Sequence, residues 1–195
     1  MTQQRPPRAL PRRKNDPAGV RARILDAAYR LFQSQGFNAT SIHEITAAAG
    51  VTGGALHHHF PTKHSLGEAV IAESVAAALE EAWLGPVREA EDAREGILCV
   101  FATLAEQLDA QGSVRGCPVN NLTLELAHAN PAFRTQLKRQ FDGWRRVIAE
   151  KLRGADAEAR ATMVIAAYSG AMAMAKVEQR GEPLRLCAKE LQRLL

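Results

Sequence analysis

The sequence predicts an all-α fold, and three features of its 195 residues support this prediction. Ala, Leu, Glu and Arg, which favour helices, dominate the long stretches. The 14 glycines and 9 prolines occur mostly singly, at positions where a helix would end. Apolar residues recur every three to four positions, and no stretch shows the alternation of a half-buried strand. We therefore expect about nine helices and no sheet.

The N-terminal residues 1–16 carry three prolines and five basic residues without periodicity, which predicts a disordered basic arm. They lack the apolar core of a signal peptide, and no later segment approaches the roughly 20 apolar residues that span a bilayer. Cys99, Cys117 and Cys187 are far apart and odd in number, which argues against a disulfide framework. We expect a cytoplasmic protein with reduced thiols.

The first two helices are defined by their apolar spacing and by their end signals. Residues 18–35 show apolar positions at helical spacing, and Gly36 follows as a stop. A short second helix opens at Ser41, which stands three residues before Glu44 as in a capping box, and it ends at Gly50.

A third helix is predicted directly after the second. Thr52 can cap it, and Pro61 ends it. Two short helices joined by a tight turn that contains glycine predict a helix-turn-helix. Five apolar residues are expected to form its core: Ile45, Ala49, Val51, Leu56 and Phe60.

The rest of the chain is predicted to form longer amphipathic helices. Thr62 can cap a fourth helix from Lys63 to about Trp83, which should end at Gly85–Pro86. Five further helices are expected, at residues 93–111, 118–128, 131–152, 156–180 and 183–194.

Residues 51–60, VTGGALHHHF, suit a helix that enters the major groove of DNA. Gly53, Gly54 and Ala55 allow the backbone to approach base edges, and the rings of His57 and His58 offer donors or acceptors. Each glycine costs about 1 kcal/mol of helix propensity, a cost that is understandable if bulk is excluded there.

Other residues suit contacts to the DNA backbone. Lys63 lies at a helix start, where its charge and the helix dipole can bind one phosphate, and the hydroxyls of Thr40, Ser41 and Thr52 can bind others. Residues 1–65 hold nine Lys and Arg against three Asp and Glu, which is typical of a module that binds a polyanion. If the charge is considered by itself, a basic tail that only increases solubility is the alternative explanation.

The segment from Arg23 to Leu66 resembles the DNA-binding domain of the TetR family of transcriptional regulators. The resemblance is carried by ILDAAYRLFQSQGFNATS, ITAAAGVTGGAL and HFPTKHSL, in the family's order and spacing. It implies nine helices, a two-fold homodimer, and binding to a palindromic operator that a ligand relieves. One position differs from the family pattern. The family usually has a Tyr that contacts a backbone phosphate of the DNA, where this chain has His57.

No metal, cofactor or catalytic site is predicted. The run His57–His59 cannot converge on one ion, because consecutive helical residues point about 100° apart. The chain also lacks a G-x-S-x-G motif, a P-loop and a Gly-rich dinucleotide loop. A small helical enzyme or carrier could present a similar pocket, but the glycine-rich recognition helix argues against it.

A second, shorter resemblance concerns the segment GCPVNNL at residues 116–122, which is similar to a TetR subgroup in which a helix start containing GC abuts the effector pocket. It implies five pocket residues: Phe101, Cys117, Asn121, Trp144 and Tyr168. Ordinary core packing is the alternative for each of them. Cys117 also stands at a helix N-terminus, whose dipole favours the thiolate, and a covalent sensor is one hypothesis for it.

Small and flexible residues form a stripe near the C-terminus that predicts a dimer interface. The stripe contains Ala159, Met163, Ala166, Ala167, Gly170, Ala171 and Met174. An intrachain core helix is the alternative. His128 stands near Glu125, which predicts a surface ion pair.

Together these features predict a basic arm at residues 1–16, a DNA-binding domain at 17–64 and a ligand-binding and dimerisation domain at 65–195. The predicted function is that of a repressor released from a palindromic operator by a small molecule of unknown identity. An activator, or a regulator without a ligand, remains open.

Overall fold

The computed structural model describes residues 16–195, so all of the predicted basic arm except Asp16 lies outside the described residues. Within residues 16–195 the chain forms nine helices and no strand, which confirms the all-α prediction. The helices are α1 (Pro17–Gln35), α2 (Ile42–Ala49), α3 (Gly53–His59), α4 (residues 63–89), α5 (Ala93–Gln111), α6 (Pro118–Leu126), α7 (Pro131–Leu152), α8 (Ala157–Glu178) and α9 (Glu182–Leu191).

The helix starts follow the capping signals of the sequence. The Ser41 hydroxyl accepts the backbone N–H of Glu44 at 3.1 Å, and the Glu44 carboxylate accepts the backbone N–H of Ser41 at 2.7 Å. Thr52 and Thr62 cap α3 and α4 through their hydroxyls. Because each cap satisfies an amide that the helix leaves unpaired, local sequence fixes these boundaries.

The fourth helix is longer than predicted. It runs without a break through Lys63–Ala69, Ala76–Leu79 and Gly85–Glu89, with π-helical turns at Val70–Val75 and Glu80–Leu84. Gly85 has a helical φ of −58° rather than a left-handed one, so the predicted stop at Gly85–Pro86 is wrong.

Two features explain why the helix continues past Pro86. A proline ring normally clashes with the carbonyl four residues earlier, and the wider π-helical turn just before Pro86 accommodates the ring. The buried face also continues, because Leu79, Trp83 and Val87 follow one another at intervals of four residues and all lie in the core.

The centre of the C-terminal part is an aromatic cluster of Trp83, Phe101, Trp144 and Tyr168, one each from α4, α5, α7 and α8. Their ring centroids lie 4.9–5.8 Å apart in edge-on arrangements. Such contacts add to the area buried and tie the four helices together. No helix in residues 16–195 combines the length and apolarity needed to cross a membrane.

Candidate functional site

The helix-turn-helix consists of α2 and α3, joined by a turn that Gly50 makes possible. Gly50 has a φ of +62°, a left-handed conformation that costs glycine little. Arg23 of α1 donates from Nε to the carbonyl of Ala49 at 3.3 Å and so holds the end of α2. The two helices are therefore fixed against α1 rather than against each other alone.

The core that holds α3 is the predicted one. Ile45, Ala49, Leu56 and Phe60 are buried, and Val51 is half-buried against them. The other side of α3 is open, because Gly53, Gly54, His57 and His58 are exposed and Ala55 is partly exposed. The structure thus presents all the predicted base-contacting residues on one accessible face.

The two glycines of α3 are not required by the folded chain itself. A Cβ built on Gly53 meets no atom of the described residues within 4 Å, and one on Gly54 meets only the Thr52 hydroxyl at 4.0 Å. Neither residue has a positive φ. Neither packing within residues 16–195 nor backbone conformation therefore demands glycine at these two positions.

Thr40 does not fit its expected role at a phosphate. Its side chain is only 1% exposed, and its hydroxyl donates to the carbonyl of Gly36 at 2.7 Å. It therefore stabilises the turn between α1 and α2. Ser41 and Thr52 are exposed, and their hydroxyls serve the helix caps described above.

Lys63 stands at the start of α4, as predicted, but it also holds the turn after α1. Its Nζ donates to the carbonyl of Asn38 at 3.2 Å and lies 4.6 Å from the centroid of the Phe37 ring. Partial burial lowers the pKa of Lys63. An ammonium has three donors, so two remain for an anion.

The turn between α1 and α2 is bound to the C-terminal part through Glu125 of α6. The Glu125 carboxylate accepts the backbone N–H of Phe37 at 2.8 Å and that of Asn38 at 2.6 Å. The predicted ion pair of Glu125 with His128 is wrong, because Glu125 points to this turn instead. The two backbone N–H groups give the carboxylate two charge-assisted hydrogen bonds.

Aromatic packing strengthens the same junction. The Phe37 ring meets Phe133 of α7 at a centroid distance of 5.2 Å, and the His64 ring of α4 lies 4.3 Å from Phe133. Gly67 of α4 makes this possible, because a Cβ there would lie 2.6 Å from the Phe37 ring and 3.0 Å from Phe133. The part of the chain that carries the helix-turn-helix is thus packed on α4, α6 and α7.

A cavity of about 330 Å³ lies between α6 and α8. Its lining consists of Gly116, Cys117, Asn120, Asn121, Thr123, Leu124, Ser169, Met172, Ala173 and Lys176. This volume is within the range of small-molecule sites. Cys117 and Asn121 therefore lie where they were expected, at a pocket.

The three aromatic residues predicted for the pocket do not line this cavity. Phe101, Trp144 and Tyr168 belong to the packed aromatic cluster, as the core-packing alternative held. Tyr168 does line a separate void of about 30 Å³, room for a single water. Sequence could not separate these roles, because core and pocket residues of adjacent helices share the same apolar spacing.

Cys117 does not have the lowered pKa expected at a helix start. Burial, with only 4% of the residue exposed, raises the pKa of the thiol. The backbone N–H groups of Asn120 and Val119 favour the thiolate, but their effect is smaller. All three cysteines of the chain are free, as predicted.

The predicted stripe on α8 divides between two faces. Ala159, Met163, Ala166, Gly170 and Met174 are exposed, whereas Ala167 is half-buried and Ala171 is buried in the core of the same chain. Ala167 and Ala171 thus fit the alternative of intrachain packing, and a dimer interface at the exposed residues stays a prediction. The exposed apolar face continues through Ala173 and Val177 of α8 and Leu186 of α9.

Sequence reasoning missed the residues that connect the cavity to α1. The Asn121 amide donates to Gln33 Oε1 at 3.0 Å, and Lys176 Nζ donates to Asn121 Oδ1 at 3.3 Å. Gln33 is buried, and this rare burial of an amide side chain is visible only in the fold. Residues 16–195 hold no group of three His, Cys, Asp or Glu side chains placed to bind a metal ion.

Comparison with known proteins places both parts of the chain in one family. Residues 24–70 match the family model described as "Bacterial regulatory proteins, tetR family". Residues 93–190 match "Transcriptional regulator LmrA/YxaF-like, C-terminal domain". The two matches correspond to the helix-turn-helix with the start of α4, and to the helices from α5 onward.

Proteins that are similar over most of the chain lead to the same family as the two family models. The uncharacterized regulator YxaF of Bacillus subtilis is 31% identical over 88% of this chain and 92% of its own. The repressor DhaR of Mycobacterium sp. strain GP1 is 28% identical over 85% of this chain and 86% of the DhaR chain. A crystal structure of a TetR transcriptional regulator from Chloroflexus aurantiacus superposes with a TM-score of 0.78 at 26% identity, over 91% of this chain and 94% of that one. The chain belongs to the TetR family of transcriptional regulators.

Proposed function

We propose that this chain is a homodimeric repressor that a small molecule releases from a palindromic operator. The observation that carries the proposal is the position of Asn121, which lines the cavity and also hydrogen-bonds to Gln33 of α1. A molecule in the cavity therefore touches a residue that touches the DNA-binding part. DhaR, which is similar to this chain over most of its length, is named a repressor, and this supports repression rather than activation.

In this proposal residues 17–64 bind DNA and residues 65–195 bind the ligand and the second subunit. The exposed face of α3 enters the major groove with Gly53 and Gly54 against the bases, because no atom of residues 16–195 fills the space beside them. His57, His58 and Lys63 flank this face and supply donors to bases or phosphates. Because the target is DNA, we expect the protein to act in the cytoplasm.

The dimer is proposed to form through the exposed apolar face of α8 and α9. Met163, Met174, Val177 and Leu186 are each more than half exposed, which is costly for large apolar side chains in water. A second copy would cover them with the same face. Two recognition helices related by a two-fold axis can then bind successive major grooves about 34–36 Å apart.

Release requires that the ligand bind one conformation better than the other. The junction between the two parts offers the route, because Glu125 and Asn121 lie on the same helix, α6, which lines the cavity. A shift of α6 on ligand binding would move the turn after α1, and with it the separation of the two recognition helices.

The proposal is tested by DNA binding of the purified protein. A fragment from its own upstream region is labelled, and affinity is measured by fluorescence anisotropy at two salt concentrations and with a panel of small molecules. We expect specific binding that weakens with salt and that at least one compound abolishes. Binding that only increases with a compound would favour an activator, and no specific binding to any duplex would contradict the proposal.

A further inference from the structure

The cavity between α6 and α8 carries one charge. Among its ten lining residues, Lys176 is the only one with a permanently charged side chain, and the rest are neutral polar or apolar. Cys117 is buried, and burial raises the pKa of its thiol, so it remains neutral. The one formal charge among the residues that line the cavity is therefore positive.

Lys176 is exposed, and its ammonium pairs with no carboxylate of residues 16–195. Its Nζ donates to the neutral Asn121 Oδ1 at 3.3 Å, and none of the ion pairs formed within residues 16–195 includes it. Arg21, by contrast, pairs with the carboxylate of Glu73. The ammonium is thus available to an anion from outside the chain.

Gly116 keeps Lys176 at the cavity. A Cβ on Gly116 would lie 3.0 Å from Asn121 Oδ1 and 3.2 Å from Lys176 Cδ, and the φ of +89° at this position is strained for any other residue. The glycine that precedes Cys117 therefore allows the lysine stem to pass close to the backbone and to bring Nζ to Asn121.

The remainder of the cavity is suited to a short hydrocarbon chain. Cys117, Leu124, Met172 and Ala173 supply apolar surface, and Met adapts its shape readily. Leu124 is 86% exposed in the free chain, so a ligand there would also cover costly apolar surface.

We propose that the effector is a small organic acid whose carboxylate binds Lys176 Nζ and whose apolar tail lies against Leu124 and Met172. This inference rests on the proposed function, since it names the class of molecule that occupies the same cavity. A carboxylate that binds the two remaining donors of the ammonium draws Lys176 Nζ away from Asn121 Oδ1 and weakens that hydrogen bond. The Asn121 amide, which also donates to Gln33 Oε1 and to the carbonyl of Arg115, loses its anchor on α8.

The consequence is a direct signal to α1. Gln33 is buried, and Asn121 is the partner of its Oε1, so a rotation of the Asn121 amide leaves that oxygen unpaired or moves α1. Acid binding in the cavity is thereby coupled to the helix that supports the helix-turn-helix.

The test uses the full chain and a matched set of six-carbon probes: hexanoate, hexanamide, hexanol and hexylamine. Binding is measured by isothermal titration calorimetry without DNA, and release by anisotropy on the operator fragment. We expect hexanoate to bind and to release DNA, with the amide and the alcohol at least tenfold weaker and the amine weakest, because only the acid brings a negative charge to the Lys176 ammonium.

Variants locate the site. Lys176→Met should weaken hexanoate binding at least tenfold, whereas Lys189→Met, an exposed lysine of α9, should not change it. Lys176→Gln serves as a second variant if the first unfolds, which circular dichroism would reveal. Asn121→Leu removes the hydrogen bonds to Lys176 and Gln33, so DNA release by hexanoate should weaken by a larger factor than hexanoate affinity itself.

Three outcomes would overturn the inference: equal binding of hexanol and hexanoate, preferred binding of hexylamine, or unchanged hexanoate affinity in Lys176→Met. Because calorimetry needs no DNA, these outcomes are distinguishable from a failure of the proposed function. If the chain binds hexanoate through Lys176 but binds no DNA duplex, the proposed acid site would be supported and the proposed repressor function would be contradicted.

Discussion

The Glu125 carboxylate accepts the backbone N–H of Phe37 at 2.8 Å across 88 residues of sequence. Its other oxygen accepts the next amide, that of Asn38. One side chain of α6 thus satisfies two backbone donors of the turn between α1 and α2, where no helix could satisfy them. This contact joins the part of the chain that lines the cavity to the part that carries the helix-turn-helix.

Substitution of Glu125 by Ala should therefore affect both stability and coupling. Two charge-assisted hydrogen bonds are lost, so we expect the free energy of unfolding to fall by about 2 kcal/mol. Urea denaturation measures this. Glu125→Gln keeps an acceptor, so its free energy of unfolding should lie between those of the unchanged protein and Glu125→Ala. Glu106→Ala, at an exposed Glu of α5, should change the free energy of unfolding little. If Glu106→Ala lowered stability as much as Glu125→Ala, the junction would have no special role.

Gly53→Ala should separate the needs of folding from those of DNA binding. Because a Cβ at Gly53 meets nothing within 4 Å, the variant should be more stable by about 1 kcal/mol, yet it should bind the operator at least tenfold more weakly. Thermal unfolding and anisotropy measure the two effects.

Gly143→Ala is the matched control, because a Cβ on this glycine of α7 also meets nothing within 4 Å and the residue is far in sequence from α3. It should gain stability without any change in DNA binding. Unchanged operator affinity in Gly53→Ala would show that α3 does not approach the bases at this position.

Ala166→Glu should dissociate the proposed dimer. Ala166 lies within the exposed apolar face of α8, so two carboxylates would be buried opposite each other when a second copy packs there. Sedimentation velocity should show monomers, and operator affinity should fall because one helix-turn-helix is left. Ala102→Glu, on an exposed position of α5, is the control. A dimer that survives Ala166→Glu would place the interface elsewhere.

Cys117 should react slowly with a thiol reagent at neutral pH, and Cys99 quickly. Cys99 is exposed, whereas burial raises the pKa of Cys117 above its ordinary value of 9.0, so the reactive thiolate forms only at higher pH. Labelling of the Cys99→Ser protein, followed by mass spectrometry, measures the Cys117 rate. Rapid labelling of Cys117 at pH 7 would revive the hypothesis of a covalent sensor.

The sequence was informative wherever the signal is local. Ser41, Thr52 and Thr62 cap the helices that the sequence assigned to them, because a cap bonds to amides only three residues away. The core of the helix-turn-helix followed from the spacing of Ile45 and Leu56 for the same reason.

Where the signal is not local, the sequence misled. Gly85–Pro86 predicted the end of α4, but burial of Trp83 and Val87 by distant helices carries the helix onward. Thr40 carries the hydroxyl of a phosphate contact, but its environment in the turn buries it. Phe101, Trp144 and Tyr168 were predicted at the pocket and pack in the core instead, although Cys117 and Asn121 lie at the cavity.

By itself, then, the sequence determined the helical class and the helix starts, since these depend on residues within one or two helical turns of each other, and its motifs between Arg23 and Leu66 indicated the family. Only the tertiary structure decided that Asn121 joins Lys176 to Gln33, and that Glu125 holds the turn at Phe37. Those partners are separated by 55 to 88 residues. A hydrogen bond depends on distance and direction in space, and these are fixed only when the helices have packed.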